Sequence, residues 1–261
     1  MRWNLKEAGY GENTNLWAGD LLHNITFLTE GETVPMTTGS SEADYAAWTE
    51  CKQETVKESA GGRTAVLDVT AVCGPSRCVL PAGPNVSEGD AGGCIIGKKT
   101  AEELFGTHLA GGQKLTWRNR TWTIRGVVEK PSKLLMVQAV NMAGELVFDR
   151  VSTSPADGAD RRLAVQRFVR DSGVSGSELR WDYLYGIGWL KEMIPGRWSD
   201  FLGWKQNFKQ YRSSREILQQ TEKSTVEAEG FSAKKRGMAC IGVGCILFFV
   251  GFFLWGKGVR S

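Results

Sequence analysis

Apolar and polar positions alternate with two different periods along this chain, and each change of period marks out an element. Residues 25–28 (ITFL) form a short apolar run suited to a buried strand, and the Gly/Thr/Ser/Pro-rich stretch 31–40 reads as a loop. Beyond it, Tyr45, Trp48 and Val56, with Cys51 or Lys52 between, follow a helical face. Ser41 with Asp44 three residues on resembles a cap, so a helix is expected over residues 42–58. Residues 65–73 (AVLDVTAVC) are rich in β-branched side chains and predict a strand; residues 80–93, rich in Pro, Gly, Asn and Asp, predict a long surface loop. Cys94, Ile95 and Ile96 make a short strand entering Gly97, and a helix over about residues 100–105 stops at Gly106, a typical C-terminal glycine.

The strict alternation of residues 113–118 (QKLTWR) and 121–128 (TWTIRGVV) around Asn119-Arg120 predicts a hairpin. Residues 134–140 and 145–151 supply further strand candidates, and residues 159–170 read as a helix with Leu163, Val165, Phe168 and Val169 on one side. After Gly176 the chain becomes dense in aromatics: Trp181, Tyr183, Tyr185, Trp189, Trp198, Phe201 and Trp204. A following helix places Trp204, Phe208, Tyr211 and Leu218 near one face, which either packs on the preceding domain or a neighbouring helix, or meets a membrane interface.

The last pattern is the longest. Residues 237–256 (GMACIGVGCILFFVGFFLWG) carry no charge, with Lys234, Lys235 and Arg236 before them and Lys257 and Arg260 after. About 20 helical residues span the roughly 30 Å of bilayer hydrocarbon. Gly237 opens the run, Phe248 and Phe249 lie within it, and Trp255 sits where an interfacial aromatic belongs. A soluble helix of this length would show a polar face, so one C-terminal transmembrane helix is expected.

The expected fold is α+β: a mixed or antiparallel sheet with packed helices, then a helical connector, then that transmembrane helix. The domain reading is a lead-in over 1–22, a core over 23–175, an aromatic-rich connector over 176–236, the span over 237–256 and a short tail over 257–261.

Composition changes the picture only in what it excludes. Hydrophobic content of 41% and charge of 23% support a globular core. A net charge of +3 with no Lys/Arg-dense stripe gives no footprint for nucleic acid; the basic flanks of the span fit lipid head groups instead. The N-terminus shows no charged-then-apolar leader. Cys240 and Cys245 fall within the span as small packing residues. Cys73 and Cys78 bracket a GPSR turn, so they either close a short disulfide loop in an oxidising compartment or, like Cys51 and Cys94, are buried thiols.

Candidate chemistry is sparse. Residues 92–98 (GGCIIGK) match the start of a phosphate-binding loop, but Lys99 occupies the magnesium-ligand position and the apolar Cys-Ile-Ile run reads as strand. His23 and His108 are isolated, which leaves no zinc spacing and few options for a histidine base. Asn24, Asn85 and Asn119 fit the glycosylation acceptor pattern. No catalytic residue, cofactor site or metal site is assigned.

Residues 97–106 (GKKTAEELFG), with 112–115 (GQKL), 122–128 (WTIRGVV) and Pro131, resemble the MacB-like periplasmic core domain of ABC transporter permeases, a class that includes FtsX-like proteins. The pattern is a strand, a short helix ending Leu104-Phe105-Gly106, a turn at Gly112 and a hairpin through Gly126; Gly97 joins strand to helix. The resemblance is specific over about residues 94–131 and looser from 23 to 175. It implies a non-enzymatic extracytoplasmic domain that contacts other transporter subunits, such as a permease or a separate ATPase, or an extracytoplasmic protein. The chain lacks the helix expected before such a domain and the three-helix block expected after it, so a truncated or reduced member is expected. Lys223, Lys234, Lys235 and Arg236 before the span outnumber Lys257 and Arg260 after it, which by the positive-inside rule alone would put the domain in the cytoplasm. The resemblance puts it outside. A membrane-anchored enzyme and a tail-anchored cytoplasmic scaffold are the competing readings.

Overall fold

The computed structural model describes residues 24–29, 45–81, 83–87, 89–130, 132–142, 144–154, 161–174, 176–185, 189–232, 235–236, 239–240 and 244. The lead-in, the 31–40 loop, the tail and the span residues Gly237, Phe248, Phe249 and Trp255 lie outside these. Among the described residues, no helix is long and apolar enough to cross a membrane.

The chain departs first from expectation at residues 42–58. Tyr45–Glu58 is a strand (β2), paired antiparallel with Thr64–Cys73 (β3) from Ala47↔Cys73 to Lys57↔Thr64. Gly62, at φ +72°, lies in the turn that joins them. A bulge explains the misleading spacing. Lys52 and Gln53 together oppose Asp68, with Gln53 at φ 54° and its N–H donated to Asp68 Oδ1 at 3.0 Å. The extra residue shifts the phase of the alternation. Tyr45 and Ala47 face one core before it and Val56 faces the same core after it, so a strand with a step in it imitates a helical stripe.

The other strands are Ile25–Leu28 (β1), Gly93–Gly97 (β4), Lys114–Trp117 (β5), Arg120–Val128 (β6), Leu135–Gln138 (β7), Arg150–Thr153 (β8) and Ser177–Glu178 (β9). They form a mixed sheet in the order β3-β7-β4-β6-β5-β2-β8-β1-β9, and β2 also pairs with β3, so six strands close into a ring. The length of β2 makes this geometry. Its Lys57 and Glu58 pair with β5, while Tyr45 to Trp48 pair with β8, which starts the β8-β1-β9 arm.

Alternation divides the buried side chains between two cores. Leu135 and Val137 join one with Val56, Trp117, Trp122 and Ile124; Leu134 and Met136 join the other with Trp48, Ile95 and Val128. The first is sealed by Lys98–Phe105 (α1), through Leu104, and by Arg161–Ser172 (α2), through Phe168. Phe168 alone of the four residues expected on the α2 face is fully buried, 5.7 Å from the ring of Phe27; Leu163 is exposed. The second core is closed by Asp182–Tyr185 (α3), Trp189–Met193 (α4), Phe201–Gln220 (α5) and a helix over residues 225–232 (α6). Its contributors include Trp181, Tyr183, Leu218, Val226 and Phe231.

The α1 helix ends as expected, with Gly106 at φ +72° and its N–H on the Glu102 carbonyl. The hairpin turns one residue earlier than expected, at Arg118 and Asn119, both at positive φ as a type I′ turn requires. In the 145–151 stretch only the last two residues are in a strand, although Leu146 and Phe148 are buried. Cys73 and Cys78 are buried thiols that form no disulfide. Cys73 packs into the first core and Cys78 into the second, which corrects the bridged alternative. The phosphate-loop match is a strand running straight into α1, with Lys98 paired to Glu129 at 3.0 Å.

Candidate functional site: the seam between the sheet and the last helix

Helix α5 ends where Thr221 leaves helical geometry, and residues 222–224 turn the chain toward α6. The pattern Ser224-x-x-Glu227 makes that turn. Ser224 Oγ accepts the Glu227 N–H at 3.2 Å, and Glu227 Oε2 accepts the Ser224 N–H at 2.9 Å. Each satisfies a backbone donor that the helix start leaves open.

Glu227 is buried, at 2% exposure, and its other oxygen accepts the indole N–H of Trp181 at 2.9 Å. Burial pushes this carboxyl above the usual range, against the opposing pull of Arg150 and the hydrogen bonds from Ser224 and Trp181. The ring of Phe231, one helical turn on, lies 5.1 Å from that of Trp181.

Strands β2 and β8 supply the opposite side of the seam. Arg150 is buried with its guanidinium 4.9 Å from the Trp48 ring, and its Nη2 donates to the Glu222 carbonyl at 2.7 Å. Trp48 is fixed in turn, its indole N–H on Ser152 Oγ at 2.8 Å. Glu50 Oε1 accepts the Thr225 N–H at 2.6 Å. Lys52 pairs with Glu50, lies 3.4 Å from Asp68 and reaches Glu222 at 3.6 Å. Burial pulls the Lys52 ammonium down, but the Glu50 and Asp68 carboxylates outweigh it and leave the group raised. The bulge is what places Lys52 here. Midway along α6, the Glu229 carboxylate accepts the Ser132 N–H at 3.2 Å and lies 3.9 Å from Lys130.

A cavity of about 420 Å³ opens along this seam, lined by Leu28, Glu50, Lys52, Arg150, Ile217 and Glu222 among others. Most of its charges pair with one another, while the buried Asp149 Oδ1 and Arg150 Nε have no hydrogen-bond partner among the described residues. Burial raises the Cys51 thiol, pushes Cys78 up to about 11 and raises Cys94 furthest, leaving each in the poorly nucleophilic protonated form at neutral pH. No group of residues suited to a metal ion occurs among the described residues.

The residues that carried the family resemblance lie elsewhere and shape the core. Gly97 starts α1, Leu104 is buried beneath it, Phe105 packs against the first core and Gly106 ends it. Gly112, at φ +81°, donates its N–H to the Ile124 carbonyl, and any side chain at Gly126 would collide with the ring of Pro84. Of the glycosylation acceptors, Asn24 is buried and donates to the Cys78 carbonyl at 2.8 Å. The aromatic face of α5 is divided: Tyr211 stacks on Trp189 at 4.6 Å and Leu218 is buried, while Phe208 is exposed. The seam residues escaped sequence reasoning, although the Ser224-x-x-Glu227 capping box could have been read from it.

No family model matches the sequence, and no curated protein matches it. The chain is similar to the periplasmic region of MacB from Actinobacillus actinomycetemcomitans, with 11% identity and a TM-score of 0.45 over 58% of this chain and 83% of that one. It is also similar to the extracellular domain of the ABC-type transporter YknZ from Gram-positive bacteria, with 18% identity and a TM-score of 0.39 over 59% of this chain and 97% of that one.

Proposed function

We propose that this chain is a membrane-anchored extracytoplasmic domain of an ABC transporter permease-like system, non-enzymatic, which contacts other subunits or an extracytoplasmic partner through its core. The membrane anchor is the apolar run 237–256, and no nucleic acid is involved. The observation that carries the reading is the seam. Helix α6 and the turn before it, after which the sequence runs into the apolar segment, are tied to the sheet strands and the loop after β6 through Glu222, Thr225 and Glu229, and to Trp181 through Glu227. A domain that only floated above a membrane would need a loose linker; this one has a clamped exit, suited to passing displacement between membrane and core. The resemblance of residues 94–131 to a MacB-like domain supplies the transporter setting.

Thiol labelling in intact cells tests the placement. A cysteine introduced by Asn85→Cys, in the Pro/Gly-rich loop, should react with a membrane-impermeant reagent without permeabilisation. Reaction only after permeabilisation would support the tail-anchored cytoplasmic reading, which the basic residues Lys234, Lys235 and Arg236 favour.

A further inference from the structure

We infer that the tip formed by α4 and the start of α5 lies in the headgroup region of an anionic bilayer; this rests on the membrane-anchored reading above. Six large apolar side chains stand exposed there: Leu190, Ile194, Trp198, Phe201, Leu202 and Phe208, with Trp198, Phe201 and Leu202 at 75%, 79% and 74%. Scattered exposed hydrophobics are ordinary, but a cluster of this kind on one short stretch marks an interaction surface.

The tip is a built structure. The Asp200 side chain accepts the Gly203 N–H at 2.8 Å and caps α5, Trp198 lies 5.5 Å from Trp204, and Asn207 donates to the Met193 carbonyl at 3.3 Å. These contacts hold the apolar side chains outward.

Chemistry selects the occupant. Trp is the residue that favours the boundary between headgroups and chains, and Arg197, Lys205 and Lys209 stand exposed around the tip. Basic residues ringing an apolar wedge match anionic lipid head groups.

The test uses the full chain in nanodiscs of mixed phosphatidylglycerol and phosphatidylcholine. A nitroxide is attached at Leu202→Cys, with Lys114→Cys on the β5–β6 hairpin as reference, in a background of Cys51, Cys240 and Cys245 replaced by Ser. The label at 202 should collide more with oxygen than with an aqueous nickel chelate, reporting a depth of about 5–10 Å below the phosphates. The label at 114 should show the reverse, and removing phosphatidylglycerol should move the 202 label outward. If the chain enters nanodiscs but both labels are equally open to nickel, the tip inference fails and the anchor stands. A 202 label shielded from both reagents would mean that protein covers the tip, and overturns the inference. Failure of the chain to enter nanodiscs overturns both readings.

Discussion

The indole N–H of Trp181 donates to Glu227 Oε1 at 2.9 Å, joining two residues 46 positions apart in the chain. One belongs to the aromatic segment that follows the core and the other to the last helix before the apolar run. Both are buried, at 4% and 2% exposure. A buried acceptor that loses its donor costs about 1–3 kcal/mol, more than the bond itself contributes on balance.

Trp181→Phe removes the donor and keeps most of the ring that packs on Phe231. It should lower stability to denaturant by about 1–3 kcal/mol. Glu227→Ala should do at least as much, because it also removes the capping box. The double variant should lose less than the sum, by about 0.5–3 kcal/mol, as expected for residues in direct contact. Additive losses would show that the two do not act as a pair.

The Glu227 carboxyl also fixes a pH dependence. Its value is raised in the folded protein, so the folded state binds a proton there more tightly than the unfolded chain does. The stabilising contribution is therefore complete below the ordinary carboxylate range and is lost as pH rises through the folded value. Comparing thermal melts of the parent and Glu227→Gln from acid to neutral pH should show the stability gap narrow as pH rises. A gap that widens would mean that the buried carboxylate is stabilised in its charged form.

Gly106 ends α1 in the left-handed region, at φ +72°, with the Arg63 guanidinium close to where a Cβ would sit. Gly106→Val should destabilise the protein by more than about 1 kcal/mol. An unchanged melting temperature would remove the cap from the account of this unit.

The thiols offer a chemical check. Alkylation of the folded protein should leave Cys73 and Cys78 unmodified, because each is buried in its own core and burial raises the Cys78 thiol to about 11. After unfolding without reductant, both should react. Resistance to alkylation after unfolding would reveal a disulfide.

Much of the core was legible because its signals are local. The β5–β6 hairpin follows strict alternation, and α1 carries its own stop signal at Gly106. Strand β2 was not legible, because its bulge at Lys52 and Gln53 breaks the period of two and is fixed only by the partner strand, through Asp68. The seam was hidden for a related reason. Trp181, Arg150 and Glu50 gain their roles from residues of α6 and the turn before it, and no spacing in the sequence announces such distant pairs. Only the Ser224–Glu227 box, whose partners lie three residues apart, left a trace that could be read.

The most direct test of the clamped exit is native-state hydrogen exchange on the full chain. If the seam fixes α6 to the core, the amides of residues 228–232 should exchange together with those of β3, at the rate of global unfolding. Trp181→Phe should speed exchange in α6 ahead of β3, which stays the slower of the two. Exchange of α6 on the timescale of an isolated short helix, with β3 fully protected, would show that the exit is loose and would contradict the coupling role.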